Sequence, residues 1–530
     1  MVKLSYDNIT QHPSYQALEY AQIIKNFYVE AQDDKMDVIP CSCLHRYKKN
    51  DNNGDITNDH YKELLEKSPV FLNGDNEKLR EFILKYIKYG DNKATLHKLE
   101  DGGIKPSKQL QDSIEKMIKG NDEFSMVGMQ KDIFENAKKL AYLASTRKTG
   151  KKIVYIVEGG PGTGKCVVAI NLLGKLLKKY GMNCKYVAKQ QNIRDVYATD
   201  LKGTYKKTEI NTLFCGSGSY INCEKNFFDA LIVDEAHRIT EKTGYFKMGE
   251  NQIKEIINSS RFSIFFIDPK QRVHIDDYGT IDRIKLIAQN LNAEVYYDKL
   301  DIQFRCSGAE QFISWVEQSL QYEDVAKNEI DMKFLKNYKV KIFDDPNEMK
   351  NEIIKQNKIR NKSRVIAGYC WEWISEKNPN GKDYDIEITP QDDSRLNDDF
   401  KMKWNFNKII WAIDKKSVEQ VGCIHTSQGL EFDYVGIIIG NDLRYENGKI
   451  ITDYLKRAEK DKKYGSMKGM KKLYKINPVE AAKLETELIK NTYRTLLTRG
   501  QKGCYIYCTD KNLSKYLKEK LGWENCRFMI

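Results

Sequence analysis

The most constraining feature of the 530-residue chain is an apolar run that leads into a glycine-rich turn and then into a second apolar stretch. Residues 153–157 read Ile-Val-Tyr-Ile-Val, the pattern of a strand that is buried on both faces. The turn fits the phosphate-binding pattern G-x4-G-K, in which backbone N–H groups and a lysine face the phosphates and the following helix adds its positive end. The sequence therefore predicts a nucleotide-binding strand, loop and helix, with candidate residues Gly159, Gly160, Pro161, Gly162, Thr163, Gly164, Lys165 and Cys166.

One position of this loop departs from the common pattern. The residue after the lysine is usually Ser or Thr, whose hydroxyl binds Mg²⁺, but here it is Cys166. Magnesium is a hard cation that prefers oxygen, so a thiol is a poor ligand. We expect nucleotide binding to survive, and either the ion relies on Asp234 and water or hydrolysis is slowed. Cys166 and Asp234 are the candidate metal-site residues.

A second apolar run, residues 230–233, ends in two adjacent carboxylates, Asp234 and Glu235. The carboxyl ends of strands are where α/β sheets place their ligands. Downstream of a phosphate loop, this pattern predicts that Asp234 holds Mg²⁺ through water and that Glu235 orients or deprotonates the attacking water.

The wider pattern indicates the fold class. Further strand-like runs at residues 262–267, 365–367 and 435–439 alternate with helical patterns. Alternation of this kind indicates an α/β fold with parallel sheets and helices on both faces. At roughly 100–200 residues per domain, the length predicts about three domains.

Composition bears on location and partners. No apolar run approaches the ~18 residues that a spanning helix needs, and the first eight residues lack the charged-then-apolar pattern of a secretory signal. We therefore expect a cytoplasmic protein without a membrane partner and with reduced cysteines. The 87 Lys and Arg residues against 75 Asp and Glu give a net charge of +12, which suits a polyanion but does not identify one.

Further segments resemble the superfamily-one helicase core, and they occur in the order typical of that core. Gln130 resembles the upstream glutamine that reads adenine. The other matching segments are residues 267–272 for the third motif, 303–305 for the fourth, 425–433 for the fifth and 493–500 for the sixth.

This resemblance implies two RecA-like domains with parallel sheets that sandwich ATP and Mg²⁺, preceded by a small α/β plus helical N-terminal region. The implied domains are residues 1–120, 121–298 and 299–530. One lobe would supply the phosphate loop, the magnesium carboxylate and the water, and the other would supply arginines that stabilise the transferring phosphoryl group. The implied catalytic residues are Lys165, Asp234, Glu235, Gln271, Arg305 and Arg499, with Arg499 as the arginine finger, and the further nucleotide-binding residues are Gln130, Gly429, Glu431 and Arg494.

Finer details resemble bacterial proteins whose ATPase module is similar to the helicase-like domain of Schlafen proteins. The segments that carry this resemblance are residues 159–165, 367–373, 422–426, 468–472 and 491–500. Members of this family are associated with defence against phage, which for this chain is an expectation by association and not from site chemistry.

The first 120 residues resemble the later part of a nuclease-like domain of the PD-(D/E)XK type. Gln16 and Tyr20 fit the Gln-x3-Tyr helix of such nucleases, and residues 38–45 fit the next strand. The upstream Asp and Glu-x-Lys that would hold a metal ion are absent, so we expect no intrinsic nuclease activity. The region is then either truncated or a docking surface for a protein partner. Alternatively, Gln16 and Tyr20 are ordinary helix residues four positions apart.

Two features suit contacts with nucleic acid. Residues 456–475 contain nine Lys or Arg residues against Glu459 and Asp461, a net charge of +7, and the alternative to phosphate contacts is a solvated basic loop. Trp371 and Trp373 are candidate stacking platforms, and the alternative is core packing.

These patterns predict a nucleic-acid-dependent ATPase that translocates on or remodels DNA or RNA, with a single strand as partner. Two alternatives stay open. One is an ATP-binding sensor or scaffold in which Cys166 keeps hydrolysis slow. The other is the helicase subunit of a split nuclease-helicase, completed by a separate polypeptide.

Overall fold

The chain forms two compact units, Met1–Lys108 and Gln109–Ile530. The predicted boundaries at residues 120 and 298 stay predictions. The computed structural model describes residues 2–3, 9–10, 12–27, 36–47, 56–90, 94–96, 126, 128–147, 150–191, 194–195, 197, 201, 207–244, 247–300, 309–323, 335, 338–375, 381, 383–404, 411–430 and 432–522.

The N-terminal unit combines short helices with short strands. Its elements are β1 (Val2–Lys3), β2 (Ile9–Thr10), α1 (Pro13–Phe27), β3 (Ser42–Leu44), α2 (Lys62–Lys67), β4 (Val70–Leu72) and α3 (Asn76–Tyr86). Strands β3 and β4 pair in parallel, and Ile56 and Leu72 form a small apolar core beneath them. The Ser42 hydroxyl donates to the Pro13 carbonyl oxygen (2.9 Å) and ties α1 to β3.

The part of the second unit that ends at Leu300, which we call lobe 1, is built on a six-stranded parallel sheet. Its strands are β5 (Ile153–Gly159), β6 (Cys184–Ala188), β7 (Phe214–Cys215), β8 (Phe228–Asp234), β9 (Ser260–Ile267) and β10 (Glu294–Leu300). Their order across the sheet is β10-β5-β9-β8-β6-β7. The central strands are almost continuously apolar because helices cover both faces of the sheet.

The helices of lobe 1 enclose two separate cores. They are α4 (Met129–Thr146), α5 (Lys165–Tyr180), α6 (Lys207–Leu213), α7 (Gln252–Ser259) and α8 (Ile281–Asn290). On β5, Tyr155 packs into one core and the next residue, Ile156, packs into the other. This alternation is the period of two expected for a strand between two helical layers.

The rest of the second unit, which we call lobe 2, contains a seven-stranded sheet and a hairpin. The strands are β11 (Lys339–Phe343), β12 (Ser363–Ala367), β13 (Ile386–Ile388), β14 (Phe400–Trp404), β15 (Gln420–Gly422), β16 (Phe432–Ile439), the hairpin β17 (Leu443–Glu446) and β18 (Lys449–Thr452), and β19 (Gly500–Cys508). The order is β11-β19-β16-β12-β15-β14-β13, and every pair in this sheet is parallel except β13 with β14.

Two long helices of lobe 2 cover opposite faces of its sheet. The helices are α9 (Ala309–Ser319), α10 (Pro346–Arg360), α11 (Ile424–Ser427), α12 (Glu459–Tyr464), α13 (Met470–Ile476), α14 (Pro478–Leu497) and α15 (Lys511–Lys520). Ile353 of α10 shares a core with Val365, whereas Leu488 of α14 shares a core with the neighbouring Ile366. Because adjacent strand residues point to opposite faces, α10 and α14 lie on opposite sides.

The predicted fold class is confirmed: two lobes with parallel-sheet cores follow a small α/β and helical region in the chain. None of the described helices combines the length and the apolar character that crossing a bilayer requires.

Candidate nucleotide site between the two lobes

The glycine-rich loop lies between β5 and α5, at the carboxyl end of a central strand of lobe 1. Gly162 and Gly164 have φ angles of +75° and +85°, which residues with a side chain rarely adopt. A Cβ atom on Gly164 would lie 2.3 Å from Nε2 of Gln130, and one on Gly159 would lie 2.6 Å from Oγ1 of Thr163. The loop therefore needs glycine both for its turn and for the close approach of its neighbours.

Lys165, the first residue of α5, folds its side chain back over the loop. Its Nζ donates to the carbonyl oxygens of Gly159 (2.7 Å) and Gly160 (2.8 Å), and the Thr163 hydroxyl also donates to Gly160 (3.0 Å). The amino end of the 16-residue helix α5 meets the loop at the same place. A buried ammonium and the positive end of a helix make this loop suited to an anion.

Gln130 lies in the first turn of α4 and is buried against the loop. Its side-chain amide donates to the Thr163 carbonyl oxygen (2.9 Å). The structure thus brings the residue expected upstream of the loop into contact with the loop itself. A contact with adenine stays a prediction.

Asp234 ends β8 and is almost fully buried. The Tyr186 hydroxyl of β6 donates to its Oδ2, and the N–H of Glu235 donates to its Oδ1 (2.9 Å). The Cys166 thiol lies beside the same carboxylate. Burial and then the charges of Asp234 and Glu235 raise the pKa of Cys166 well above its usual value, so this side chain remains a thiol at neutral pH.

Glu235 has a left-handed backbone conformation (φ +49°), an uncommon geometry for a residue with a long side chain. Its Oε2 is buried, lies 3.2 Å from His237 Nε2, and makes no hydrogen bond to any described residue. Burial lowers the pKa of His237, so its ring is neutral at pH 7. The strand end therefore presents a buried carboxylate oxygen with unused capacity to accept a hydrogen bond.

The third motif brings Asp268 and Gln271 to the cleft. The Gln271 amide donates to Asp268 Oδ2 (2.9 Å), and its Oε1 is buried without a partner among the described residues. Burial opposes ionisation of Asp268, but the positive charges of Arg494 and Lys165 outweigh it and lower the pKa of this carboxyl. Asp268 is therefore ionised between the phosphate loop and lobe 2.

Arg494 of α14 reaches across from lobe 2. Its Nη1 lies 3.4 Å from Asp268 Oδ2, and its Nε donates to Glu317 of α9 (2.7 Å). A Cβ atom on Gly160 would lie 3.9 Å from Arg494 Nη2, so the guanidinium is beside the phosphate loop. Although burial opposes the charge, Asp268 and Glu317 raise the pKa of Arg494, and the arginine stays protonated.

The structure does not bring the remaining predicted site residues that it describes to the phosphate loop in the way that it brings Arg494. The Nε of Arg499, five residues after Arg494, donates to the Thr495 carbonyl oxygen (3.0 Å) of its own helix. Gly429 has a positive φ of 80° at the end of the fifth motif. Arg305 and Glu431 lie outside the described residues. The structure thus brings Arg494 to the phosphate loop, and the catalytic role of Arg499 stays a prediction.

A glutamine of the fifth motif links the lobes. Gln428 is fully buried, and its amide donates to the Gln271 carbonyl oxygen (3.1 Å) and lies 3.0 Å from His237 Nε2. Its Oε1 accepts from the Gln190 amide (3.0 Å) of lobe 1. One lobe 2 side chain therefore contacts the segments that follow three different strands of lobe 1.

Arg238, which directly follows His237, belongs to a cluster of cationic side chains and histidines next to this glutamine. Asp277 accepts from Arg238 Nη1 (2.7 Å) and from the N–H of His274 (2.9 Å), and Arg238 Nη2 lies 3.2 Å from His425 Nδ1 of lobe 2. Burial lowers the pKa of Lys189, which directly follows β6, to about 8. Two cations of lobe 1, Arg238 and Lys189, thus lie at this edge of the cleft, where Arg238 meets His425 of lobe 2.

Sequence reasoning missed several of these residues, including Lys189 and Asp277. Gln190 and His237 each lie just beyond a strand that ends at the site, and this position was the one available signal for them. Tyr186 reads as an ordinary strand residue, and Glu317 as an ordinary residue of an amphipathic helix. Their contacts depend on tertiary packing.

The comparison with known proteins agrees with this geometry. Residues 152–510 match the family described as "Schlafen group 3, DNA/RNA helicase domain", a span that includes the sheets of both lobes and the residues of the cleft other than Gln130. The chain therefore carries a helicase-type ATPase domain. It belongs to the Schlafen group 3 DNA/RNA helicase domain family, which confirms the family resemblance seen in the sequence.

Individual relatives are distant. A Saccharomyces cerevisiae protein named "Uncharacterized protein YPL245W" is 24% identical over 406 residues, which cover 69% of this chain and 83% of the relative. The crystal structure of Pif1 helicase from Bacteroides in complex with ADP-AlF3 and ssDNA aligns at 12% identity with a TM-score of 0.34, over 76% of this chain and 97% of the other. The crystal structure of Pif1 helicase from Candida albicans aligns at 10% identity with a TM-score of 0.30, over 76% and 99%.

Proposed function

We propose that this chain is a nucleic-acid-dependent ATPase that translocates on, or remodels, single-stranded DNA or RNA. The observation that supports this most is the reach of Arg494 from lobe 2 to Asp268 and the phosphate loop of lobe 1. An arginine supplied to the phosphates from a second lobe makes hydrolysis depend on how closely the lobes approach each other.

Each part of the cleft has a proposed role. Lys165 and the loop N–H groups hold the phosphates of ATP, which replaces the loop carbonyl oxygens as the partner of the lysine. The buried, unpartnered oxygen of Glu235 accepts a hydrogen bond from the attacking water, and the free Oε1 of Gln271 is a second acceptor nearby. Arg494 stabilises negative charge on the transferring phosphoryl group.

The donor set fits a magnesium ion held mainly by nucleotide oxygens and water. Mg²⁺ usually keeps several waters and takes one or two carboxylates together with phosphates. Asp234 supplies such a carboxylate, and no group of three metal-binding side chains occurs among the described residues. Cys166 adds little to this set, because sulfur is a poor ligand for a hard cation. When bound, the ion neutralises charge on the β and γ phosphates.

The coupling between nucleic acid and hydrolysis runs, in this proposal, through Gln428. Its amide contacts both the segment of Gln271 and His237, which lies next to Glu235. Its oxygen holds Gln190 at the edge where Lys189 lies. A strand that binds at this edge therefore shifts the same side chains that position the water.

One observation favours a second function. The Cys166 thiol occupies the position of the usual magnesium hydroxyl and contacts Asp234, an arrangement suited to a sensor or scaffold that binds ATP and turns it over slowly. In that case nucleotide binding alone, and not repeated hydrolysis, controls an assembly.

The N-terminal unit contributes a proposed docking surface. In α1, the Gln16 amide donates to the Tyr20 hydroxyl (3.3 Å), and the Tyr20 side chain is 59% exposed. Helix α3 exposes Ile83 and Leu84. Exposed apolar side chains of this kind suit a protein partner. The proposal also includes a cytoplasmic location and a role in defence against phage.

The test is steady-state ATP hydrolysis by the purified full chain, with and without single-stranded DNA or RNA at moderate salt. Lys165→Ala serves as the blank, because loss of the ammonium removes the main phosphate contact. Stimulation by one polymer that is absent in Lys165→Ala supports the motor and identifies its substrate class. ATP binding without stimulation supports the sensor, and normal turnover by Lys165→Ala excludes the phosphate-loop assignment.

A further inference from the structure

The lysine-dense stretch noted in the sequence is an ordered element of lobe 2. We call residues 453–477 the lysine insertion; it connects the hairpin β17–β18 to α14 and contains α12 and α13. Between residues 456 and 475 it has nine Lys or Arg residues and only two carboxylates. Helices α12 and α13 make part of this stretch ordered, and the alternative of a solvated basic segment without phosphate contacts is what the experiment below tests.

A buried ion network anchors the lysine insertion and uses up one of its carboxylates. Arg457 is fully buried and donates to Asp442 (2.9 Å), Asp461 (3.4 Å) and the hydroxyls of Ser466 (2.7 Å) and Thr492 (3.2 Å). Asp461 in turn accepts from the N–H of Ser466 (2.7 Å). Because Asp461 is buried and paired with Arg457, its negative charge does not offset the lysines at the surface.

The remaining cations face solvent. Glu459, the other carboxylate, pairs with Lys462 (2.5 Å) and Lys463 (3.5 Å). No described carboxylate lies within ion-pairing distance of the lysines of the second half. Seven lysines of the insertion are exposed, namely Lys456, Lys460, Lys463, Lys468, Lys471, Lys472 and Lys475. The second half of the insertion, with Lys468, Lys471, Lys472 and Lys475, is therefore a surface of concentrated positive charge without a counter-ion among the described residues.

Contacts on both sides place this surface at the cleft. The N–H of Ile275 in lobe 1 donates to the Ser466 carbonyl oxygen (2.9 Å), and the N–H of Ala458 donates to the Tyr369 carbonyl oxygen (2.9 Å). Ile275 directly follows His274 of the cluster around Arg238 and His425. The lysine insertion of lobe 2 therefore lies next to the edge of the cleft where the lobe 1 cations Arg238 and Lys189 are found.

Aromatic side chains accompany the lysines. Lys460 Nζ lies 5.6 Å from the centre of the Trp373 ring, and the Tyr464 side chain is 77% exposed at the end of α12. Trp373 is half-buried and packs against Trp404 in the lobe 2 core, so Tyr464 is the exposed ring of the two. An exposed ring beside cations suits a single strand, because the ring stacks on bases while the cations neutralise phosphates.

We propose that the lysine insertion binds the phosphate backbone of a single-stranded nucleic acid as the strand leaves the cleft. This inference rests on the proposed function and adds to it the surface that holds the polymer. Uncompensated charge favours a polyanion, and the continuity with the cationic edge between the lobes favours the strand on which the ATPase acts over an acidic protein.

The experiment compares two variants of the full chain that change the same charge. The first replaces four exposed lysines of the insertion: Lys468→Glu, Lys471→Glu, Lys472→Glu and Lys475→Glu. The matched control replaces four exposed lysines near the opposite face of the lobe 2 sheet: Lys355→Glu, Lys358→Glu, Lys415→Glu and Lys416→Glu. Thermal unfolding checks that both fold, and Ala replacements at the same four positions of the insertion serve if the Glu variant does not.

Fluorescence anisotropy with labelled single-stranded DNA and RNA is measured at salt concentrations from about 50 to about 200 mM. We expect the insertion variant to bind about tenfold or more weakly at low salt, and the slope of log K against log salt to fall by about 0.7 for each phosphate that the variant no longer neutralises. The control should keep the wild-type slope.

The outcomes separate this inference from the function on which it rests. Equal weakening of both variants means that net charge alone acts, and wild-type binding by the insertion variant means that the strand follows another path; either result overturns the inference while the ATPase proposal stands. If the wild-type chain binds neither polymer and its hydrolysis is not stimulated, both proposals fail.

Discussion

Arg494 of lobe 2 and Asp268 of lobe 1 form a buried ion pair across the cleft, with 3.4 Å between Nη1 and Oδ2. Each side chain is only 4% exposed. Such a pair adds little net stability, because desolvation offsets the attraction, but removal of one partner leaves the other charge buried without compensation. The pair therefore makes the position of the arginine depend on the closed arrangement of the lobes.

Arg494→Ala should lower kcat for ATP hydrolysis by about 10³-fold or more, the effect typical of an arginine that stabilises a transferring phosphoryl group. Nucleotide affinity should fall less, because Lys165 and the loop remain. Hydrolysis and fluorescent-nucleotide binding are measured side by side, with Arg499→Ala as the comparison. If Arg499→Ala abolishes turnover and Arg494→Ala does not, the finger is Arg499 and the Arg494 pair is only structural.

Cys166→Ser should raise Mg²⁺-dependent hydrolysis, because the hydroxyl restores an oxygen ligand beside Asp234. A titration of hydrolysis and of nucleotide binding against Mg²⁺ should show half-saturation at a lower metal concentration. Tyr186→Phe is the matched control, since it removes the other side-chain donor on Asp234 without adding a ligand, and it should not raise turnover. Unchanged or slower hydrolysis in Cys166→Ser would remove the argument for a slow sensor.

The strand, the phosphate loop and the carboxylate pair were predictable because local sequence dictates them. Gly162 and Gly164 are required by backbone angles, and Asp234 follows a short apolar run that its position after a phosphate loop identifies as a strand. The placement of Arg494 against Asp268 was not predictable, because it depends on how α14 packs against a different lobe. Arg494 and Arg499 share one motif, and only the packed helix decides which one meets the loop.

Stability should decrease as the pH falls below about 6.5, and His237 is one identifiable cause. Its ring is fully buried, and burial lowers its pKa from the ordinary value of 6.5. The unfolded chain then binds a proton that the folded chain does not, so the free energy of unfolding falls by up to about 1.4 kcal/mol per pH unit for this group below that value. The pKa values of His274 and His425 are also lowered, which adds to the effect in the same direction.

Denaturant unfolding at about pH 7.5, 6.5 and 5.5 measures this dependence. His237→Gln, which cannot take up a proton in this range, should give a shallower decline than the wild-type chain. A wild-type stability that stays level or rises toward the acidic end of the series would contradict the assignment of neutral buried histidines.

Buried amides cannot be assigned from sequence for a related reason. Glutamine is mostly a surface residue, and nothing in the sequence around Gln190 indicates that its amide meets another glutamine from 238 positions away. The fifth motif identified Gln428 as part of a family pattern but not its partners. Only the packing of the lobes places this side chain between His237, the neighbour of Glu235, and Gln190 at the cationic edge.

Gln428→Ala should uncouple nucleic acid binding from hydrolysis. The change leaves the Gln190 amide and the Gln271 carbonyl oxygen without a buried partner, a loss of about 1–3 kcal/mol for groups of this kind. We expect the factor by which a single strand stimulates hydrolysis to fall about tenfold, while the Kd for the strand, measured by anisotropy, changes less. Gln190→Ala removes only one of the hydrogen bonds of Gln428, and it should reduce the stimulation of hydrolysis less. Full stimulation in Gln428→Ala would show that the contacts of Gln428 hold the lobes together but do not carry the effect of a bound strand to Glu235.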